Sequence, residues 1–306
     1  MKTAFLILTH KDFNHLKRLV EYLNHPSIDI FIHVDKKSLS PEFSGKLKEL
    51  SSSKVNIIPS QKVYWSSLSQ TEARIRLMKA ALSSSDFDHF VMLSGQCYPI
   101  KPLPSFLKFL SNNKGVSFME HFPLPYNELG LNKGLDRINC YSYTMFGKRV
   151  TYFSKDMKTT FNTKGRVFNS LLGLYHIFKK KRRHPTNVKP YYGNDWWIAS
   201  NSAVKFMLEF IEENPNYHIY HKHTKHTCEV YFPSILAGTN YQGKIINTSH
   251  HYMHWSEKNT ANPIVLEDNE FDNIANSKAF FARKFETQKS GSLLNLIDEK
   301  LLNDEK

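Results

Sequence analysis

Three groups of polar residues follow short apolar runs in the first hundred residues, and they are the first candidates for binding a ligand. They occupy residues 9–11 (Thr-His-Lys), 35–37 (Asp-Lys-Lys) and 94–96 (Ser-Gly-Gln). The last group contains small residues, which let a ligand come close to the backbone. The three groups can act on one ligand only if the apolar runs before them are neighbouring strands of one sheet.

Hydrophobic spacing predicts the elements that would bring these groups together. Compact apolar runs predict strands at 4–8, 29–34, 55–58 and 89–93, and helical spacing predicts helices at 14–23, 41–50 and 69–82. Short apolar strands that alternate with helices are typical of a parallel sheet covered on both faces. Ligands of such sheets bind beyond the carboxyl ends of the strands, where the polar groups lie. We therefore predict an α/β fold with a mostly parallel central sheet flanked by helices.

The second half of the chain is less regular but shows no sign of a separate unit. Residues 126–189 are rich in lysine, arginine, tyrosine and phenylalanine, a helix is predicted at 202–211, and residues 288–306 form a polar and then amphipathic tail. The sequence contains no internal repeat and no low-complexity linker. We predict one domain over residues 1–306, with a first half at 1–115, a second half at 116–287 and the tail.

Length and composition limit the class of protein. The chain has 306 residues, of which 41% are hydrophobic, so it can bury a core and is not a disordered chain. Its formal charge of +13 implies an anionic partner, which could be nucleic acid, a phospholipid surface or a phosphorylated small molecule. The three cysteines, Cys97, Cys140 and Cys228, are far apart. They indicate neither a disulfide framework nor a zinc motif, and they fit a reducing compartment.

Two segments bear on contact with a membrane. The apolar run at 4–8 is too short for a signal peptide or a bilayer span, and the sequence has no run of about 18 apolar residues. We expect a soluble or peripheral protein. The basic run 179–183 follows an apolar and aromatic stretch at 167–178. It is either a membrane-surface element facing an anionic leaflet or a solvated loop after a core helix.

Two clusters could suggest a metal site, and both have a simpler interpretation. Asp86 and Asp88 supply the carboxylates that hard cations prefer. They precede the strand at 89–93 and therefore lie at the sheet edge opposite the polar groups, so we interpret them as a solvated turn. Four histidines have no spacing or neighbouring cysteines typical of zinc, and we interpret them as an exposed segment before residue 229. They are His218, His221, His223 and His226.

Six blocks of sequence, taken together, resemble one enzyme family. They are AFLILTHKD with IFIHVDKKS, VYWSSLSQTEARIRLMKAAL, FDHFVMLSGQCYPIK, YYGNDWWIAS, HTCEVYFPSIL and FFARKFE, between residues 4 and 286. Each block is weak alone, but six blocks in the same order over most of the chain are specific. They resemble the core-2/I-branching β-1,6-N-acetylglucosaminyltransferase and xylosyltransferase family.

The resemblance implies a glycosyltransferase of the A-type fold that uses a UDP-sugar, inverts the anomeric carbon and needs no divalent metal or other cofactor. The expected sugar is N-acetylglucosamine or xylose, and the expected product is a β-linkage to a hydroxyl of a glycan or lipid-linked acceptor. The resemblance assigns nucleotide binding to residues 1–115, and acceptor binding and catalysis to residues 116–287. We expect the protein in a bacterial-type cytoplasm, or peripherally on the inner face of the cell membrane, in surface polysaccharide synthesis.

The resemblance also assigns roles to individual residues of the donor site and the catalytic centre. Glu229 takes the position of the catalytic base, which deprotonates the attacking hydroxyl. Lys284 takes the position of a lysine that contacts the donor diphosphate. The family's second basic contact falls on Ala261 here, and Lys258 or Arg283 could replace it. The other expected donor-binding residues are Leu8, His10, Asp35, Tyr64, Ser94, Gly95 and Gln96.

The acceptor is expected to contact carboxylates and tryptophans, because apolar sugar faces stack on aromatic rings while carboxylates bind hydroxyls. The expected residues are Glu120, Asp195, Trp196 and Trp197. For each tryptophan, a position in the core is an equal alternative. Cys97 stands where the family usually has aspartate, and a thiol does not accept hydrogen bonds as a carboxylate does. The donor sugar could therefore differ from that of other members.

Two other functions remain open from the sequence. A basic nucleic-acid-binding protein would cluster basic and aromatic residues on one face. The basic residues of this chain are spread along it instead, and no nucleic-acid-binding motif occurs. A non-catalytic sugar-binding relative would keep Trp196 and Trp197 but would not need Glu229 or Lys284. Because both of these residues are present, we favour an enzyme without a nucleic-acid partner.

Overall fold

The computed structural model describes residues 1–50, 52–145, 147–177, 182–255 and 262–303. Its strands are β1 (Thr3–Thr9), β2 (Ile28–Val34), β3 (Val55–Ile57), β4 (His89–Ser94), β5 (Tyr98–Pro99), β6 (Ser117–Phe118), β7 (Phe122–Pro123), β8 (Tyr141–Met145), β9 (Lys148–Tyr152), β10 (Tyr191–Tyr192), β11 (Ile198–Ser200), β12 (Ile245–Ile246), β13 (His251–Met253) and β14 (Phe281–Arg283). Its helices are α1 (Phe13–Tyr22), α2 (Pro41–Leu50), α3 (Leu68–Ser84), α4 (Leu103–Asn112), α5 (Leu135–Asn139), α6 (Thr163–His176), α7 (Asn201–Glu213), α8 (Pro215–His221), α9 (Cys228–Ala237), α10 (Phe271–Ala275) and α11 (Thr287–Ile297).

The central sheet has the strand order β12-β6-β11-β4-β1-β2-β3 within the described residues. The strands β3, β2, β1 and β4 are parallel, whereas β11 runs antiparallel to both of its neighbours. Register brings the predicted polar groups together, because Leu8 pairs with His33 on one side and with Ser94 on the other. The mainly parallel sheet with helices on both faces confirms the predicted fold class.

Both faces of this sheet are covered because its central strands are apolar throughout. Phe5 and Ile7 of β1 belong to the core that α1, α2, α4 and α11 cover. Ala4 and Leu6 of the same strand lie in the core that α3, α7 and α9 cover. Successive side chains of a strand point to opposite faces, so a continuous apolar run needs a helical layer on each side. Burial of each large apolar side chain stabilises the fold by about 1.5–3 kcal/mol.

The elements predicted in the first hundred residues are all present, and their ends differ from the prediction by one or two residues. The helix predicted at 202–211 is α7. The segment predicted as a tail differs more, because its first part is the helix α11. Leu293, Leu294 and Ile297 of α11 recur at helical spacing and are buried in the core.

Two smaller units complete the structure around the central sheet. Strands β13, β14 and β5 form a three-stranded sheet, and β8 and β9 form an antiparallel hairpin against which α6 packs. Among the residues that the structure describes, no helix combines the length and the apolar composition needed to cross a bilayer.

Candidate active site

A cavity of about 990 Å³ lies where the parallel strands of the central sheet end. Residues at the carboxyl ends of β1, β2 and β4 line it, at the sheet edge where a ligand site is predicted. The predicted site residues in its wall are Leu8, His10, Asp35, Ser94, Gly95, Gln96, Glu120, Asp195, Trp196, Glu229, Arg283 and Lys284. Tyr64 and Trp197 are not part of the wall.

The turn after β4 brings its backbone close to β1. Gly95 donates its N–H to the carbonyl of Leu8 at 2.8 Å. A Cβ at this position would lie 2.4 Å from Oγ1 of Thr9, so the contact requires glycine. Cys97 is fully buried beside this turn, with Sγ 3.3 Å from the N–H of Ser94. Burial raises the pKa of Cys97, so this residue is a neutral thiol that does not line the cavity.

Asp35 caps the turn after β2. Its Oδ1 accepts hydrogen bonds from the backbone N–H groups of Lys37 and Val63, at 3.0 and 3.1 Å. The Nζ of Lys37 lies 3.4 Å from Oδ2 of Asp35 and 4.6 Å from the ring centre of Tyr64. Tyr64 therefore packs against Lys37, a residue of the wall, and is not itself in the wall; its contact with the donor stays a prediction. Asp35 remains in the wall with its carboxylate fixed in place.

Two basic side chains at the end of β14 lie in the cavity wall and have no carboxylate partner among the described residues. Arg283 places its guanidinium 4.5 Å from the ring centre of Trp196, and Lys284 follows it in the chain. Burial lowers the pKa of both side chains. Neither forms an ion pair with another described residue, and Nε of Arg283 has no hydrogen-bond partner among them. Uncompensated cations in a cavity favour an anionic ligand.

Of the two replacements proposed for the second basic contact, the structure places Arg283 beside Lys284. The other replacement, Lys258, and the aligned position Ala261 lie outside the described residues.

Glu229 lies in the first turn of α9, with its carboxylate held on one side by Arg137 of α5. Its Oε2 accepts hydrogen bonds from Nε and Nη2 of Arg137, at 3.1 and 2.5 Å. Its Oε1 lies 3.7 Å from Nδ1 of His226, which is too long for a hydrogen bond. Burial lowers the pKa of His226 to about 3, so this ring is neutral near pH 7. Arg137 thus orients the carboxylate and leaves one oxygen available.

Asp195 is a second acidic group of the cavity. Its Oδ2 lies 3.3 Å from Nη2 of Arg74, a fully buried residue of α3. Its Oδ1 is buried and has no hydrogen-bond partner among the described residues. Burial raises the pKa of Asp195; Arg74 opposes this shift, and the charge of Glu229 adds to it. Arg74 also donates to Sγ of Cys228 at 2.9 Å, so it connects α3 to the start of α9.

The two adjacent tryptophans have different surroundings. Trp197 is buried in the core, with its ring centre 6.0 Å from that of Phe232. Its predicted acceptor contact is therefore corrected to a packing role. Trp196 lines the cavity but is only 5% exposed. The guanidinium groups of Arg74 and Arg283 lie 5.2 and 4.5 Å from its ring centre and form cation–π contacts with it. The ring therefore offers little surface to a sugar.

Two other tryptophans in the cavity wall have open rings. Trp65, just before α3, is 49% exposed and packs edge-on against His226 with ring centres 4.9 Å apart. Trp255, just after β13, is 48% exposed. Such rings can stack on a sugar or a nucleobase. Glu120 also lies in the wall, where its Oε1 accepts a hydrogen bond from Oγ of Ser249 at 2.9 Å.

One family model covers most of the chain, including the strand ends at the cavity and Glu229. The model described as "Branch: Core-2/I-Branching enzyme" matches residues 3–275. The chain belongs to the Core-2/I-Branching enzyme family. The mainly parallel sheet flanked by helices agrees with the A-type glycosyltransferase fold that the resemblance implied.

Curated relatives of this Core-2/I-Branching family chain match it at low identity along almost its whole length. Xylosyltransferase 2 of Rattus norvegicus is 21% identical over 325 residues, which cover 97% of this chain and 33% of that protein. Xylosyltransferase oxt of Drosophila melanogaster is 23% identical over 324 residues, covering 98% and 33%. Beta-glucuronosyltransferase GlcAT14A of Arabidopsis thaliana is 22% identical over 308 residues, covering 95% and 62%. The chain thus spans less than two thirds of each of these relatives.

The four histidines before α9 do not form the exposed segment that was expected in this family member. His221 is fully buried and lies 2.9 Å from Oγ1 of Thr224. His218 contacts the hydroxyl of Tyr231 at 2.9 Å, and His223 contacts a backbone carbonyl at 3.3 Å. The partners of these three rings are different groups, so the histidines do not converge on one point. The described part of the chain contains no group of three or more His, Cys, Asp or Glu residues that could hold a metal ion.

Asp86 and Asp88 precede β4 and are not part of the cavity wall, in agreement with the predicted position. Asp88 accepts a hydrogen bond from the backbone N–H of Lys2 at 2.9 Å and pairs with Lys114 at 2.9 Å. Its carboxylate therefore connects the start of β4 to Lys2 and Lys114 at the sheet edge opposite the cavity.

The sequence analysis missed two arginines of the site. Arg74 had a visible signal, because it shares a helical stripe with apolar Leu77, Met78 and Ala81 in α3. A cation in an otherwise buried stripe indicates an internal anion or acceptor. Arg137 had no comparable signal, because it lies in an irregular segment and reaches Glu229 across 92 residues of sequence.

Proposed function

We propose that this chain transfers a sugar from a nucleotide-sugar donor to a hydroxyl of a glycan, with Glu229 as the catalytic base. The observation that carries the proposal is the composition of one cavity wall. It holds two basic side chains that form no ion pair with any residue the structure describes, Arg283 and Lys284, together with a carboxylate that Arg137 orients. A leaving diphosphate needs the first feature, and an attacking hydroxyl needs the second.

The base role of Glu229 is supported by its hydrogen bonds. Because both contacts of Arg137 go to Oε2, Oε1 can accept the proton of an incoming hydroxyl. A general base is most effective when a neighbouring group fixes its orientation before the reaction. With a single attack from the acceptor side, an α-linked donor gives a β-linked product, so we propose inversion.

The donor is proposed to be a UDP-sugar that is used without a divalent metal. The departing nucleoside diphosphate carries about two negative charges, which fixed cations can stabilise in a site shielded from water. Arg283 and Lys284 provide these charges in the wall. The turn after β4 at the same edge of the sheet, residues 95–97, carries no carboxylate that would suit Mg²⁺ or Mn²⁺.

Among donor sugars we propose xylose first. Two of the relatives named above are called xylosyltransferases and the third is called a glucuronosyltransferase. N-acetylglucosamine, which the resemblance also implied, is retained in the test together with glucuronic acid. Trp65 and Trp255 are proposed to stack on the acceptor or the nucleobase, in place of Trp197.

The test is UDP release from UDP-xylose, UDP-glucuronic acid and UDP-N-acetylglucosamine, with and without excess EDTA. We expect release from one donor, unchanged by EDTA. In Glu229→Gln we expect kcat to fall by about 100-fold or more, with the donor KM nearly unchanged. Glu209→Gln, an exposed carboxylate of α7, is the matched control and should behave as wild type.

Each part of the proposal has its own contrary result. Loss of release in EDTA would refute metal independence. Full activity of Glu229→Gln would refute the base assignment, and the absence of release from every UDP-sugar, with mixed glycans as acceptors, would refute sugar transfer from UDP.

A further inference from the structure

Helix α6 carries an apolar stripe that points away from the protein. Val167, Phe168, Leu171, Leu174 and Tyr175 are between 46% and 63% exposed. Their spacing places them on one side of the helix, and we call this surface the α6 apolar face. An apolar stripe of this kind normally covers a core, so its exposure needs an explanation.

The opposite side of α6 fixes this orientation. His176 stacks on Tyr152 of the hairpin, with ring centres 4.4 Å apart. The side-chain amide of Asn169 exchanges two hydrogen bonds of 2.9 Å with the backbone of Phe153. Gly173 also faces Tyr152, since a Cβ there would lie in van der Waals contact with its ring, at 3.5 Å. The polar and small side of the helix therefore faces the protein, and the apolar face is left outside.

The surface around the α6 apolar face is strongly basic. Residues 147–177 contain six lysines and arginines and a single acidic residue, Asp156. Five of the six cations are exposed: Lys148, Lys155, Lys158, Lys164 and Arg166. The sequence continues with three lysines at 179–181, which lie outside the described residues.

Arg182 does not belong to this surface, although the sequence analysis grouped it with the basic run. It is 5% exposed, and its guanidinium donates to the carbonyls of Arg137, Ile138 and Cys140. Its charge also lies over the ring of Tyr220, 3.9 Å from the ring centre. Arg182 thus anchors the chain after α6 to the α5 region. The alternative placed a solvated loop after a core helix. Helix α6 is not a core helix, and most of that loop, residues 178–181, lies outside the described residues.

We propose that the α6 apolar face and the exposed cations around it bind an anionic phospholipid surface, with α6 lying in the plane of the interface. Apolar side chains would enter the acyl boundary while lysines contact phosphate groups. A second copy of the chain would bring two positively charged faces together, which Coulomb repulsion opposes. Nucleic acid or an acidic glycan would pair with the cations but leave the apolar face in water.

The hairpin of β8 and β9, on which α6 packs, contacts the segment that leads to the cavity wall. Ser142 of the hairpin donates its N–H to the carbonyl of His223 at 2.9 Å, and Arg149 donates to the carbonyl of Thr224 at 2.7 Å. The next residues, Lys225 and His226, line the cavity. Membrane binding would therefore bring this wall close to the lipid surface. Binding of a lipid-linked acceptor from this membrane surface would rest on the proposed function. The membrane contact itself does not rest on it.

The test is co-sedimentation of the whole chain with phosphatidylcholine vesicles that contain or lack phosphatidylglycerol. We expect binding to the anionic vesicles only, weakened by added salt. Leu171→Glu/Leu174→Glu should lower the bound fraction about tenfold or more while leaving the circular dichroism spectrum and UDP release unchanged. The matched control Ile219→Glu, which adds a charge at another exposed apolar position of a helix, should bind as wild type.

Four results would overturn the proposal. They are no binding of the wild type to anionic vesicles, equal binding to neutral vesicles, an equal loss of binding in Ile219→Glu, and concentration-dependent dimers in sedimentation velocity that disappear in Leu171→Glu/Leu174→Glu. The last result would assign the face to a second copy of the chain. Because vesicle binding is measured without a sugar donor, its failure is distinct from failure of the proposed glycosyl transfer.

Discussion

At the scale of single residues, the chemistry of the cavity depends on which charges have partners. Glu229 is held by Arg137 through one carboxylate oxygen, whereas Arg283 and Lys284 form no ion pair within the described part of the chain. A bound diphosphate would therefore supply the missing negative charge without breaking an ion pair. The same reasoning separates Trp196, covered by two guanidinium groups, from the open ring of Trp65.

The contact between Arg137 and Glu229 predicts that Arg137 orients the Glu229 carboxylate and takes no part in proton transfer itself. Arg137→Lys keeps the charge but cannot donate from two nitrogens of one planar group. We expect kcat for UDP release to fall about 10–100-fold and the donor KM to change less than about twofold, because a charged hydrogen bond contributes roughly 1.5–3 kcal/mol. Steady-state kinetics measure both, with exposed Arg183→Lys as control. A change in KM alone would contradict the positioning role.

At the scale of elements, the basic end of β14 reaches the cavity through the small sheet that β13, β14 and β5 form. The N–H of Phe285 donates to the carbonyl of Gln96 at 2.9 Å, next to the turn after β4. Helix α11 then closes this region, where the N–H of Thr287 donates to Asp12 at 2.7 Å. Elements from opposite ends of the chain thus meet beside the cavity.

We predict that α11 is a required part of the core. Leu294→Ala should lower the free energy of unfolding by about 2–5 kcal/mol, because a fully packed leucine leaves a cavity when it is truncated. Urea unfolding followed by circular dichroism measures this change. Gln288→Ala, in the same helix but exposed, should change it by less than about 0.5 kcal/mol. Equal stability of the two variants would show that α11 is a dispensable tail.

At the scale of the whole molecule, part of the net charge of +13 lies in two regions for which we propose an anionic partner. One is the cavity wall with Arg283 and Lys284, and the other is the exposed surface around α6. Under the two proposals, the first region would bind a small phosphorylated ligand and the second an anionic lipid surface. Both were named as alternatives from the charge, and the fold allows them to coexist.

Partly buried histidines make the stability of the whole fold depend on pH. Burial lowers the pKa of His226 and His251 to about 3 and that of His184 to about 4. The unfolded chain therefore binds more protons than the folded chain below about pH 6.5, and stability must fall with acidification. We expect each of these histidines to lower the free energy of unfolding by roughly 1–2 kcal/mol between about pH 7 and pH 5.

Urea unfolding at several pH values measures this dependence. In His251→Gln, whose side-chain amide can still donate to the carbonyl of Ser249, the fall in stability should be smaller than in the wild type. Stability that rises on acidification, or an unchanged slope in His251→Gln, would refute the assignment.

Much of the fold could be predicted from the sequence because the signal is local. The first four strands and the helices between them follow from apolar spacing within short windows, and the polar residues after those strands then share one edge. The family resemblance likewise rests on short blocks, which placed Glu229 and Lys284. Their roles stay predictions until the proposed assays are made.

Contacts between distant segments were decided only by the tertiary structure. Trp196 and Trp197 are both buried in the core, and only Trp196 also lines the cavity; no local pattern fixes that difference. Arg137 and Arg74 became site residues because folding brought them to Glu229 and Asp195. Helix α6 is the clearest case: its spacing indicates an amphipathic helix, but a local period cannot say which side finds a partner. The polar side of α6 packs against the hairpin, and its apolar side is exposed.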